Sequence, residues 1–241
     1  MDPRLKSIVD NFDSMKIGLD DSFRFHCTEC GKCCVDREDI LLTPRDLFKA
    51  AKALNLTPPA FVTEYCECYI GQDSRIPIVR LKPRGSIKRC PLLKDRRCSI
   101  HKAKPAVCAM FPVGRAISID KESYNADGVL NSQVQYIINP INCGDKSEAH
   151  TVREWLTAFD IPIQDDFFFK WQSFLATASS FLRDVEKVFS DETMGEIWTG
   201  IYIRIYLDYD PTKEFMPQFE QNADELLKTI RKTRKAMESA S

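Results

Sequence analysis

Four of the chain's ten cysteines crowd into "HCTECGKCCVD", at Cys27, Cys30, Cys33 and Cys34. A two-residue spacer separates the first three. It lets the chain turn so that neighbouring sulfurs face one point, about 2.3 Å away if that point is zinc. The same run matches the loop that wraps a corner of an iron–sulfur cluster. Gly31 lies inside it, where a tight loop calls for a positive φ. A looser group follows in "CPLLKDRRCSIHKAKPAVCAMFPVG", with Cys90, Cys98 and Cys108 and with His101 between the last two. Cys143 stands alone before Gly144. Eight thiolates fill two closed zinc sites, or one four-iron cluster with several to spare.

Three features lean towards iron: the ferredoxin-like run, the adjacent Cys33 and Cys34, which suit a single tetrahedral zinc poorly, and the Cys90-Pro91 step. Adjacent side chains tend to leave the chain in different directions. Cys27, Cys30 and Cys33 are therefore expected to face one centre, completed by Cys143 or a member of the second group. Cys34 is expected to face away, into a second centre with members of Cys90, Cys98 and Cys108 or as a nearby thiol. His101 is either a ligand or a hydrogen-bonding partner that orients one. His26 and His150 read as surface or structural. Cys66 and Cys68 do not share a helical face at their spacing, and read as packing or incidental thiols.

The composition supports thiols rather than disulfides. The N-terminus, "MDPRLKSIVDNF", carries both charge signs where a signal peptide would be apolar. The longest apolar-looking stretch, "IWTGIYIRIYLDY", is short and broken by Arg204, so no membrane span is expected. A cytoplasmic location follows as the expectation, because a reducing compartment keeps cysteines free to bind soft metals. The net charge of −1 says nothing about partners. Residues 71–115 are different, with twelve Lys or Arg against Asp73 and Asp95 alone. That stretch either meets an anionic partner or offsets the negative charge of metal-bound thiolates.

The elements that must position these residues show local signals. Residues 3–15 have helical apolar spacing, and "EDILLT" reads as a strand. Thr43-Pro44 and Thr57-Pro58 each open a helix, with Thr as N-cap and Pro in the first turn. "IPIVRL", "VGRAISI" and "VQYIIN" read as strands, the last two joined through a turn at "NADG". Thr151 with Glu154 forms a capping box. "DDFFFKWQSFLATASSFLRDVEKVF" is a long amphipathic helix, "MGEIWTGIYIRIYL" another in which strand remains possible, and "EQNADELLKTIRKTRKAM" a charged one. The expected fold class is α+β. A small metal-stabilised cysteine-cluster domain with few short strands occupies residues 1–146, and a helical C-terminal region occupies 147–241.

"CTECGKCC", "ILLTPRDL", "CPLL", "CSIHKAKPAVCAMFPVG" and the late cysteine, in that order, resemble the YkgJ-type cysteine-cluster family, over roughly residues 25–145. That family is described as zinc- or iron-chelating, and some members are labelled iron–sulfur proteins. The resemblance implies a metal held by Cys27, Cys30, Cys33, Cys34, Cys90, Cys98, Cys108 and Cys143. It is similar in turn to flagellin lysine N-methylases, which implies protein methylation with S-adenosylmethionine as one inherited activity. The spacing of radical S-adenosylmethionine enzymes is absent, as are a phosphate loop, G-x-G-x-x-G and G-x-S-x-G. Three functions stay open: a cysteine-ligated iron–sulfur protein, a structural zinc module with a basic partner-binding surface, and a flagellin-type methyltransferase.

Overall fold

A computed structural model describes residues 10–38, 40–117 and 134–240. It is an α+β fold of short antiparallel strands and long C-terminal helices. The helix expected over 3–15 is described over residues 10–15 (α1), and the "NADG" turn lies outside the described residues. Among the described residues no helix is long and apolar enough to cross a membrane.

Two strand pairings fix the first cysteine loop. β1 (Lys16–Ile17) joins a sheet in the order β1-β9-β8, with β8 (Val113–Ile117) and β9 (Val134–Ile138). β2 (Ser22–His26) buries Phe23 and Phe25 and turns Arg24 outward, the alternation of a half-buried strand. It pairs antiparallel with β10 (Asp145–Thr151), Asp145 opposite His26. β2 ends next to Cys27 and β10 begins just after Cys143, so this pairing carries the two distant cysteines together. β10 was not expected, and it crosses the 146/147 boundary. Its sequence, "DKSEAHT", is polar and mostly exposed, so it offers no apolar alternation. The strand exists because β2 supplies its hydrogen-bonding partner.

Gly144 makes that approach possible. Its φ is +67°, and a Cβ there would sit 2.3 Å from the His26 carbonyl oxygen and 2.7 Å from the Phe25 ring.

The second cysteine group is carried by other elements. β3 (Leu41–Leu42), β5 (Pro77–Leu81) and β4 (Cys66–Ile70) form a sheet in the order β3-β5-β4. α2 (Pro44–Ala53) and α3 (Pro58–Tyr65) begin at Thr43 and Thr57, as read from the sequence, and Thr43 and Asp46 complete a capping box. β6 (Leu93–Lys94) and β7 (Arg97–Cys98) make a tight hairpin through Asp95 and Arg96, both at positive φ. The Cys90 N–H donates to the Cys34 carbonyl at 2.8 Å, and Asp36 N–H to Ile87 at 3.0 Å. The two cysteine groups are therefore laced together by backbone. α4 (Ala106–Met110) carries Cys108, and its Ala106 N–H donates to Asp46 on α2 at 2.8 Å.

The C-terminal helices pack on this framework. α5 (Val152–Ala158) opens with the Thr151/Glu154 capping box. α6 (Asp166–Val185), α7 (Asp191–Tyr202) and α8 (Phe215–Ala240) follow, with a π-helical turn at Ile203–Leu207 after α7. The larger core joins residues on both sides of the 146/147 boundary, among them Leu47, Phe61 and Val79 with Phe174, Leu182 and Phe219. Full burial of side chains of this size contributes about 1.5–3 kcal/mol each. A smaller core gathers Phe23, Phe25, Met110, Val113, Tyr136, Cys143 and Trp155.

Asp165 pins α6 to this framework. It caps the helix through the Phe168 N–H and accepts from Arg45 on α2 at 2.8 and 2.6 Å. Arg115 on β8 reaches the same carboxylate at 3.3 Å. Burial alone would raise the Asp165 pKa, but the Arg45 hydrogen bonds and the charges of Arg45 and Arg115 hold it below the usual value.

Asp165→Asn leaves the buried Arg115 and the half-buried Arg45 without their carboxylate and is expected to cost about 3 kcal/mol in urea denaturation at pH 7. The carboxylate's folded pKa is depressed. Its contribution is therefore present above the unfolded pKa and is lost as pH falls through the folded one. The gap between wild type and variant should narrow on acidification. Gly144→Ala should cost on the order of 2 kcal/mol, from the strained φ and the clash with His26. Equal thermal stability of this variant and the wild type would show that the β2–β10 turn relaxes freely.

Candidate metal centre

The first cysteine loop is mostly irregular, as its composition suggested, but it closes in a 3-10 turn, Lys32–Cys34. Gly31 precedes it at φ 74°, and the Cys34 N–H donates back to the Gly31 carbonyl at 3.0 Å. Successive residues of a 3-10 turn are about 120° apart. In this turn the Cys33 and Cys34 sulfurs lie 3.9 Å apart, and Cys34 lines the same hollow as Cys90, Cys98 and Cys108.

Cys27, Cys33, Cys34, Cys90, Cys98 and Cys108 line one hollow. Arg37, His101 and Lys104 share its wall, with Leu92, Leu93 and Phe111 as apolar panels. Cys30 and Cys143 lie to one side. They pack, together with Cys33, against the smaller core, whereas Cys90, Cys98 and Cys108 pack against the larger one. The cysteines occupy the seam between the two cores, and Cys33 touches both sets.

The electrostatics follow from this crowding. The hydrogen bond between Cys33 and Cys34 lowers the Cys33 pKa and raises that of Cys34. Lys104 and Arg37 add to the stabilisation of Cys33. The Lys32 and Gly144 N–H groups lower the Cys30 pKa. Burial, followed by the charges of Cys33, Cys30 and Cys27, pushes Cys143 up to about 11. Burial is also the main cause that raises Cys90, Cys98 and Cys108. Ionising several of these thiols together is therefore opposed by burial and by mutual repulsion. A coordinating cation reverses that balance, since a bound thiol is deprotonated outright.

Six of the groups that could ligate a metal here are sulfurs, with the His101 imidazole and the Glu29 carboxylate beside them, and a set dominated by sulfur suits a soft metal. Among the described residues no three His, Cys, Asp or Glu side chains converge on a point that could hold an ion. The sulfurs are arranged around a hollow.

Other residues singled out by sequence fall elsewhere. Cys66 and Cys68 lie on β4, an element the sequence did not suggest, where alternate residues share a face. Cys66 faces the larger core, and burial raises its pKa to about 12, with smaller effects from Cys68 and Cys90. His26 contacts Ser147 Oγ at 3.1 Å, and His150 contacts the Phe25 carbonyl at 3.0 Å. Arg75, Arg80, Lys88, Arg97 and Arg115 of the basic stretch each meet a carboxylate. Lys104, one of the twelve basic residues of 71–115, faces the thiols together with Arg37, which lies outside that stretch and was not singled out. The only sequence signal for Arg37 was its nearness to cysteines, which many basic residues here share.

No curated protein and no solved structure matches the chain. Residues 26–134 match the family model CxxCxxCC, described as "Putative zinc- or iron-chelating domain". The resemblance carried by the cysteine spacing is thus a family match that spans the first cysteine loop and the second group.

Proposed function

We propose that this chain is a cytoplasmic metal protein whose centre is an iron–sulfur cluster held by cysteine thiolates. The observation that carries this reading is one hollow lined by six cysteines from both sequence groups. A lone tetrahedral ion needs only a point between four sulfurs, whereas a cluster occupies a volume and takes its thiolates one per iron. The ligand pool is Cys27, Cys30, Cys33, Cys34, Cys90, Cys98, Cys108 and Cys143. Such a cluster, when bound, supplies one-electron chemistry. The chain's own residues do the rest. Arg37 and Lys104 offset thiolate charge, Leu92 and Phe111 keep water from the wall, and the Lys32 and Gly144 N–H groups hold Cys30 towards its thiolate form. The cytoplasmic placement rests on ten free thiols, which a reducing compartment preserves.

A structural zinc site is the second reading. It is favoured by the 3.9 Å separation of the Cys33 and Cys34 sulfurs. Zn–S bonds of about 2.3 Å in a tetrahedron place sulfurs about 3.8 Å apart. The methyltransferase reading rests on resemblance alone, and titration with S-adenosylmethionine tests it.

Anaerobic purification followed by visible absorption and metal analysis separates the first two readings. A brown protein with iron and acid-labile sulfide is expected; a colourless protein with stoichiometric zinc contradicts the cluster. Cys27→Ser, Cys30→Ser and Cys33→Ser should each remove most of the metal, because a hydroxyl is a poor ligand for a soft metal. Cys66→Ser and Cys68→Ser should leave it nearly unchanged, and loss of metal from either would redraw the ligand set.

A further inference from the structure

A second hollow lies behind the cysteine wall and is lined from α2 by Arg45, Asp46 and Lys49. His101, Lys102 and Lys104 face it from the following turn, and Phe159 and Asp160 close it from the end of α5. His101 and Lys104 also line the cysteine hollow, so the two spaces share a wall.

The charges in this hollow are unevenly matched. Arg45 is held by Asp165, but Asp165 also serves Arg115, so the guanidinium pair keeps a net positive charge. The Asp46 carboxylate is turned inward, accepting from the Thr43 N–H, the Thr43 hydroxyl and the Ala106 N–H. Lys49, Lys102 and Lys104, with Arg45, therefore outnumber the two carboxylates of the lining, Asp46 and Asp160. Lys49 follows Arg45 by one helical turn, so two cations stand on the same face, an arrangement that is unfavourable by itself. Lys104 additionally lies over the Phe159 ring, 5.7 Å from its centroid. The small apolar residues Ala103, Ala106 and Ala109 line the rest and leave no broad aromatic platform for a base.

From this we infer a binding site for a phosphate group, free or as a monoester, with Lys49 and Lys102 as its principal donors and Lys104 and His101 at the shared wall. Ammonium groups on flexible stems act as compact point charges and suit a multiply charged tetrahedral oxyanion. A phosphate seated there is separated from the cysteine hollow by the turn His101–Ala103 and by Lys104. The site does not depend on which metal the cysteines hold.

The test is calorimetric titration of the full chain, with its native metal content, against inorganic phosphate and O-phosphoserine at low ionic strength. Saturable binding of at least one is expected, and the tighter of the two identifies the free or the esterified form. Lys49→Ala and Lys102→Ala should each weaken binding about tenfold, the scale of one charge-assisted hydrogen bond. Lys187→Ala, in the exposed turn that follows α6, should leave it unchanged. Circular dichroism and metal content should match wild type in every variant, which separates this site from the metal centre, and Lys49→Gln with Lys102→Gln repeats the test with less loss of side chain. Absence of binding, binding indifferent to both lysines, or citrate binding as tightly as phosphate would overturn the assignment.

Discussion

Burying several thiols side by side is tolerable while they stay protonated and unfavourable once they ionise. This fold accepts that constraint at the seam of its two cores. Cys33 sits where the sets meet: its sulfur is 3.9 Å from Cys34, and it packs with Cys30 and Cys143 against the smaller core. The backbone bond from Cys90 to Cys34 and the pairing of β2 with β10 draw the remaining cysteines to the same place. Raised pKa values at Cys90, Cys98, Cys108 and Cys143 are the consequence of that convergence. A cation that takes thiolates as ligands turns the same crowding into affinity.

The surrounding architecture resists the strain of this arrangement at two points. Asp165 fastens α6 to α2 and β8 through two arginines, which holds the helices against the sheet that follows Cys108. Gly144 allows β10 to pass against His26, at a distance where a side chain would collide with backbone. Both devices act at long range in sequence, and both lie outside the cysteine motif itself. The charged residues are also divided in their work. Most arginines of the basic stretch are matched by carboxylates, whereas Lys104 and Arg37 act on thiols and Lys49 and Lys102 face the neighbouring hollow.

What the sequence shows plainly is what short range decides. Thr43, Thr57 and Thr151 mark helix starts because a cap needs only the next three residues. The periodic apolar positions of α6 and the alternation of β5 are equally local. β2, β4 and β10 were not legible, because their strand character comes from partners elsewhere in the chain, as far as 129 residues away for Thr151 and Ser22. The closeness of the Cys33 and Cys34 sulfurs was not legible for a related reason: it depends on the 3-10 turn that Gly31 opens at positive φ. The first cysteine group could be read as a metal motif because its spacing is short. The association of Cys90, Cys98, Cys108 and Cys143 with it came from resemblance, and their proximity depends on hairpin and sheet pairings that spacing does not encode.

X-ray absorption at the metal edge, on protein purified without oxygen, tests the central claim most directly. The account predicts a stoichiometric metal whose nearest shell is sulfur at about 2.3 Å, with a second shell of iron at short range. A nearest shell made only of oxygen and nitrogen, or the absence of bound metal from folded protein, would contradict it.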